Sequence, residues 1–126
     1  MLFKYPEVFS KLTYETAYLI FLKKDGSIRL MLATRNLSTV ALRWGFQGKA
    51  LGGHDNRCNI NNGNVAVFDL LLGDARSFSI DRLVSIEYMG IVDSIERLNE
   101  VADSFLKFKE EYEKTQPMTM TMDMLD

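Results

Sequence analysis

Apolar positions along the chain fall into short runs separated by turn residues, and most of the runs carry the spacing of strands. Residues 16–22 (Thr-Ala-Tyr-Leu-Ile-Phe-Leu) are rich in β-branched and aromatic side chains. In the next run, 27–34, Ile28, Leu30 and Leu32 alternate with Arg29, Met31 and Ala33, the period of a strand with one buried face. Lys23-Lys24-Asp25-Gly26 lies between them, and Asp-Gly flanked by apolar runs predicts a hairpin. Further strands are expected at 65–72, which ends on Gly73-Asp74, at 76–80 and at 83–88. Residues 40–44 (Val-Ala-Leu-Arg-Trp) fit either a third strand or a short helix, because five residues are too few to show a period.

Two segments read as helical. Residues 6–12 predict one short turn with Pro6 in its first positions, where a missing N–H costs nothing. Near the C-terminal side, Ile95, Leu98, Ala102, Phe105 and Tyr112 repeat at helical spacing, with Glu96, Glu100, Lys107, Glu110 and Glu113 mostly on other faces. Asp93 and Glu96 predict a capping box with Asp93 as the N-cap, and a helix from about Ser94 to about Lys114, before Pro117. The alternating methionines of 118–124 suit an unstructured terminus, or a strand added to a sheet edge of this chain or of a partner.

These elements predict one mainly β domain with α-helical additions. It divides into an N-terminal extension at 1–15, a small antiparallel barrel of five to six strands at 16–90, an amphipathic C-terminal helix at 91–115 and a flexible Met/Thr tail at 116–126. Inside the barrel segment, 45–64 holds five of the eight glycines together with Asn56, Asn59, Asn61, Asn62 and Asn64. A connection of that length in a small domain predicts a functional or mobile loop.

Composition narrows the classes. Of the 126 residues 47% are hydrophobic and 25% charged, the balance of an ordinary globular domain. No run approaches the roughly 18 uncharged apolar residues of a membrane span. Lys4, Tyr5 and Pro6 interrupt the apolar start before a secretory segment can form, so a cytoplasmic protein is expected. One cysteine and one histidine exclude an internal disulfide and a protein-only zinc site, and no metal or other cofactor is expected. The net charge of −2 is unevenly spread. Residues 1–90 carry eleven Lys/Arg against eight Asp/Glu, whereas 91–126 carry four against nine. A mildly basic body with an acidic C-terminal part suits an anionic partner, yet is weaker than the charge of a general nucleic-acid binder.

Candidate chemistry is sparse. His54 and Cys58 lie four apart, and with Asp55 they allow, on paper, a small thiol enzyme. Gly48-Lys49 fails as a phosphate loop because Ala50 follows the lysine, where a Ser or Thr hydroxyl is needed for magnesium. Arg43, Lys49 and Arg57 nevertheless give that loop region an excess of positive charge suited to phosphate. Asp74 and Asp81 suit turn and cap roles better than acid–base work. In 76–83, Phe78, Ile80 and Leu83 are expected inside and Arg76 and Arg82 outside, joined by a tight Asp-Arg bend into an anion-binding edge.

Arg76-Ser-Phe78-Ser-Ile80-Asp81-Arg82-Leu83, followed by Val84-Ser-Ile86-Glu87, resembles the end of the WYL domain, where an Arg-x-Phe-x-Leu-Asp-Arg-Ile-like motif enters a strand. Met31-Leu-Ala-Thr-Arg35-Asn36-Leu, Ala50-Leu-Gly-Gly-His54-Asp-x-Arg57-Cys58-Asn and Gly73-Asp-Ala-Arg76-Ser-Phe are similar to a small phage family described as WYL-like, over roughly 16–90. The Trp-Tyr-Leu signature itself is not present. The resemblance implies an SH3-like or Sm-like barrel without enzymatic chemistry, with Arg76 and Arg82 corresponding to the basic residues through which WYL domains contact ligands or nucleic acid. Together with the size and the acidic C-terminal part, it implies a phage accessory protein of the kind that, in T-even phages, binds host RNA polymerase. Such a protein modulates transcription through that enzyme or another host protein complex. Direct RNA or DNA binding is the alternative. The partner-binding or anion-binding set is then Arg76, Arg82, Arg57, Lys49, Arg43 and Arg35.

Overall fold

The computed structural model describes residues 3–45 and 61–115. The chain runs through helix α1 (Tyr5–Tyr14), strands β1 (Thr16–Leu22) and β2 (Ile28–Thr34), helix α2 (Leu37–Trp44), strands β3 (Asn64–Asp69) and β4 (Asp74–Ser79), a 3₁₀ turn at Ile80–Arg82, strand β5 (Leu83–Tyr88) and helix α3 (Ile95–Thr115). The five strands form one antiparallel sheet in the order β4-β3-β2-β1-β5.

The β1–β2 hairpin forms where Asp25-Gly26 predicts it. Lys23 N–H donates to the Ser27 carbonyl at 2.8 Å, and Gly26 takes the positive φ of 90° that closes the turn. The Asp25 carboxylate accepts from Ser27 N–H at 2.9 Å and from Ser27 Oγ at 2.6 Å, which holds its pKa below the usual carboxylate range. β2 and β3 pair at Ala33↔Asp69 and Thr34↔Phe68, with one further bond from Leu70 N–H to the Leu32 carbonyl at 2.9 Å, so the two hairpins diverge from that short junction. Between Ile20 and Phe21 the β1–β5 register shifts, because Phe21 faces Leu83 while Ile20 faces Ser85; the bulge bends the strands there.

This bending gives the sheet a concave face. Leu19, Met31, Val65, Phe78 and Leu83, from all five strands, join one buried cluster, and Val8 and Leu12 of α1 close it. The convex face is covered as well. Tyr18, Leu32 and Phe68 pack there with Val40 of α2 and with Leu98, Val101, Ala102 and Phe105 of α3. Burial on both faces explains why Met31, Leu32, Ala33 and Thr34 are all buried, where alternation alone predicts one buried face.

Several local expectations change. Residues 40–44 are helical and lie within α2, because the Asn36 side chain caps its start, accepting from Ser38 N–H at 3.0 Å and Thr39 N–H at 3.4 Å. No sixth strand is present among the described residues. α1 is a full ten-residue helix, not a single turn. β3 stops at Asp69, whose Oδ1 accepts from Leu71 and Leu72 N–H groups, both at 3.0 Å, and turns the chain before Leu72. Ser94, not Asp93, caps α3: its Oγ accepts from Arg97 N–H at 3.2 Å. Ile95 is 54% exposed, while Val101, which the helical stripe omits, is buried. The long loop lies mostly outside the described residues, as does the Met/Thr tail.

Gly73 closes the β3–β4 turn at φ +73°, and a Cβ built there falls 2.6 Å from the Trp44 ring. That indole also donates from Nε1 to the Leu70 carbonyl at 2.8 Å. Gly73→Ala is therefore expected to destabilise the fold by about 1–2 kcal/mol through left-handed backbone strain, with some added displacement of Trp44. Chemical denaturation monitored by Trp44 fluorescence reads both effects, and an unchanged midpoint with an unchanged spectrum refutes the argument.

Candidate basic groove

Five of the described cations converge where the β1–β2 hairpin tip approaches β4 and the 3₁₀ turn. Phe21, Leu22, Lys23 and Lys24 form one wall, with Arg29 beside them. Arg76–Ser79 and Arg82 form the other, and Asn62 and Asn64 close one end. The groove encloses about 790 Å³. Its lining holds five Lys/Arg side chains and no carboxylate.

Strand alternation explains this convergence. Arg29 precedes Met31 by two residues, and Arg76 precedes Phe78 by two, so both arginines lie on the face of the sheet that builds the concave core. Arg76 is thus half-buried at the rim of that core, a correction to the expectation that it stands outside. Its Nη1 meets Asp74 Oδ2 at 2.7 Å, and its buried Nε has no hydrogen-bond partner among the described residues. Arg29 Nη2 lies 3.9 Å from Asp69 Oδ2. Arg82 is exposed, as expected, and its Nη1 donates to the Lys23 carbonyl at 2.9 Å. That bond spans 59 positions and ties the 3₁₀ turn to the hairpin tip. Phe78, Ile80 and Leu83 are buried, as their spacing predicts.

The groove unites Arg76 and Arg82 but not the rest of the expected set. The Arg35 guanidinium stacks 4.3 Å from the centre of the Phe9 ring and bonds the Ala66 carbonyl, so it fastens α1 to β3. Its own N–H donates to the Leu12 carbonyl at 2.8 Å. Arg35 is a strut inside the fold and does not line the groove. Arg43 sits in the last turn of α2, 5.9 Å from the Trp44 ring centre, and is also absent from the lining. Lys49, Arg57, His54 and Cys58 lie outside the described residues. Lys23, Lys24 and Arg29 belong to the groove without having been singled out from sequence. The paired lysines before Asp25-Gly26 were the available signal, since a hairpin tip projects from the sheet.

The aspartates have structural partners. Asp69 caps the β3–β4 turn, and Asp74 Oδ1 accepts from Ala75 N–H at 2.9 Å while Oδ2 pairs with Arg76. No described helix is long and apolar enough to cross a membrane.

Comparison with known proteins adds a family. No curated protein and no solved structure matches the chain significantly. The family model WYL_2, described as an Sm-like SH3 beta-barrel fold, matches residues 7–84. That match takes in most of α1, all of the curled sheet up to the start of β5, and both groove arginines of the 76–83 segment. On this match, which covers more than half of its length, the chain belongs to the WYL_2 family of Sm-like SH3 β-barrel domains.

Proposed function

We propose that the chain is a non-enzymatic phage accessory protein that binds host RNA polymerase and modulates transcription, using the basic groove as its docking surface. The observation that carries the binding role is the groove lining, with five cations and no carboxylate of its own in a chain of net charge −2. Arg76 and Arg29 have Asp74 and Asp69 as ion partners outside the lining, and Lys23, Lys24 and Arg82 have none among the described residues. Such a site attracts an acidic partner locally, while the whole molecule has no general pull on polyanions. The choice of polymerase rests on the resemblance in size, acidic C-terminal part and family. Direct binding of RNA or DNA is the second reading, because the same arginines, with Asn62 and Asn64 beside them, supply donors suited to phosphate.

Affinity capture from a nuclease-treated bacterial lysate separates the two. The expected result is RNA polymerase retained after nuclease, confirmed with the purified enzyme. Loss of every captured protein on nuclease treatment, with steep salt-dependent binding of naked RNA or DNA, sinks the first reading.

A further inference from the structure

We infer that the free edge of β4 takes an extended, acidic peptide segment as an added strand, whose carboxylates are held by the groove cations. The inference rests on the protein-binding reading above and specifies how the partner is gripped.

β4 is a terminal strand of the sheet. Ile80 N–H donates to the Gly63 carbonyl at 2.8 Å, one step beyond the Asn64↔Ser79 pair. Antiparallel ladders alternate, so Phe78, Arg76 and Asp74 exchange bonds with β3, while Ala75, Ser77 and Ser79 turn their N–H and C=O groups to the outer edge. At Ala75 both groups are already engaged, the N–H by Asp74 Oδ1 at 2.9 Å and the C=O by Arg76 Nη1 at 3.4 Å. That is the blunting expected of a protected edge. The blunting stops there. Among the described residues no hydrogen bond engages the outward backbone groups of exposed Ser77 and half-buried Ser79, and both residues line the groove with Arg76, Arg82, Lys23 and Lys24.

An open strand edge beside concentrated positive charge fits strand addition by an acidic segment. It does not fit a single-stranded nucleic acid as well, because such ligands stack their bases on exposed rings. The groove's two rings, Phe21 and Phe78, are 6% and 4% exposed and lie 5.8 Å apart, centre to centre. They are spent on the core.

The probe is an acetylated peptide of about eight residues alternating Glu and Thr, long enough to span the open edge. Two isomers of the same charge are N-methylated at every Glu or at every Thr, so that only one of them loses the amide protons facing β4. Binding to the full-length protein is measured by titration, and amide hydrogen exchange reports on Ser77 and Ser79. The expected result is exchange at both serines slowed about tenfold or more by the parent peptide. One isomer should bind about tenfold more weakly or worse, and the other like the parent. Four results overturn the inference: no peptide binding, equal binding of both isomers and the parent, slow exchange at both serines already in the free protein, or a single-stranded RNA oligomer bound where the peptide is not. Protection of the serines by the peptide in a protein that retains no RNA polymerase keeps the inference and retires the functional reading. Retention of polymerase with both serines unprotected does the reverse.

Discussion

Phe105→Ala is expected to destabilise the protein by about 3–5 kcal/mol, the largest effect of any single truncation on the convex side of the sheet. Phe105 is 2% exposed and meets the Tyr18 ring edge-on, with centroids 5.3 Å apart and planes at 63°. Its partners Leu98, Val101 and Ala102 belong to the same buried cluster, so the cavity left by the ring opens at the centre of the α3–sheet contact. Tyr18 sits in a hydrogen-bonded frame, its Oη donating to the Val101 carbonyl at 3.3 Å, and burial raises its phenol pKa above the ordinary value. The remaining faces of α3 are rich in charge, and without its apolar anchor the helix has little reason to stay folded on the sheet. Urea denaturation followed by far-ultraviolet circular dichroism checks the prediction. A variant as stable as the parent would mean that α3 draws its order from elsewhere.

If the proposed docking on RNA polymerase holds, Arg82→Ala is expected to weaken it by about 2 kcal/mol, roughly thirtyfold in Kd, with stability lowered by no more than about 1 kcal/mol. The bond from its Nη1 to the Lys23 carbonyl orients the guanidinium at the groove wall before any partner arrives. Pre-orientation lowers the entropy lost on binding, so on the proposed function this single arginine is expected to carry much of the energy. Arg82→Lys keeps the charge and removes the planar fork. It should lose most of the affinity if a carboxylate is gripped by two parallel bonds, and little if the charge alone matters. Titration at two salt concentrations completes the test. Phosphate contacts predict a modest loss and a slope shallower by about one counterion, the same for Lys23→Ala as for Arg82→Ala. Equal, modest, salt-dependent losses at both positions would move the assignment to nucleic acid.

Much of the architecture was legible in local patterns. The Asp25-Gly26 hairpin, the strand at Leu83–Tyr88 and the long helix each announce themselves within a window of a few residues, and each lies where its pattern puts it. The 40–44 segment stayed ambiguous because it is shorter than two helical turns. The deciding signal was Asn36 two residues ahead of Ser38, a cap that makes sense only once a helix follows it. Asp93 and Ser94 are both acceptable caps by residue type, and backbone geometry alone selects between them.

By itself the sequence determined most of the segments that extend or coil, where the chain turns and that its excess of positive charge lies in the first ninety residues, because propensity, periodicity and turn chemistry act over a few neighbours. Tertiary structure decided the rest. It turned Arg29 and Arg76 to the rim of the concave core, joined Arg82 to Lys23 across 59 positions and spent Arg35 on the Phe9 ring. It also buried the second face of β2 beneath α2 and α3. Each of these depends on how far the sheet curls, and the curl follows from a short junction between β2 and β3 and a bulge between β1 and β5. Pairing between distant strands sets both features, and no local period encodes which distant strand arrives or at what angle.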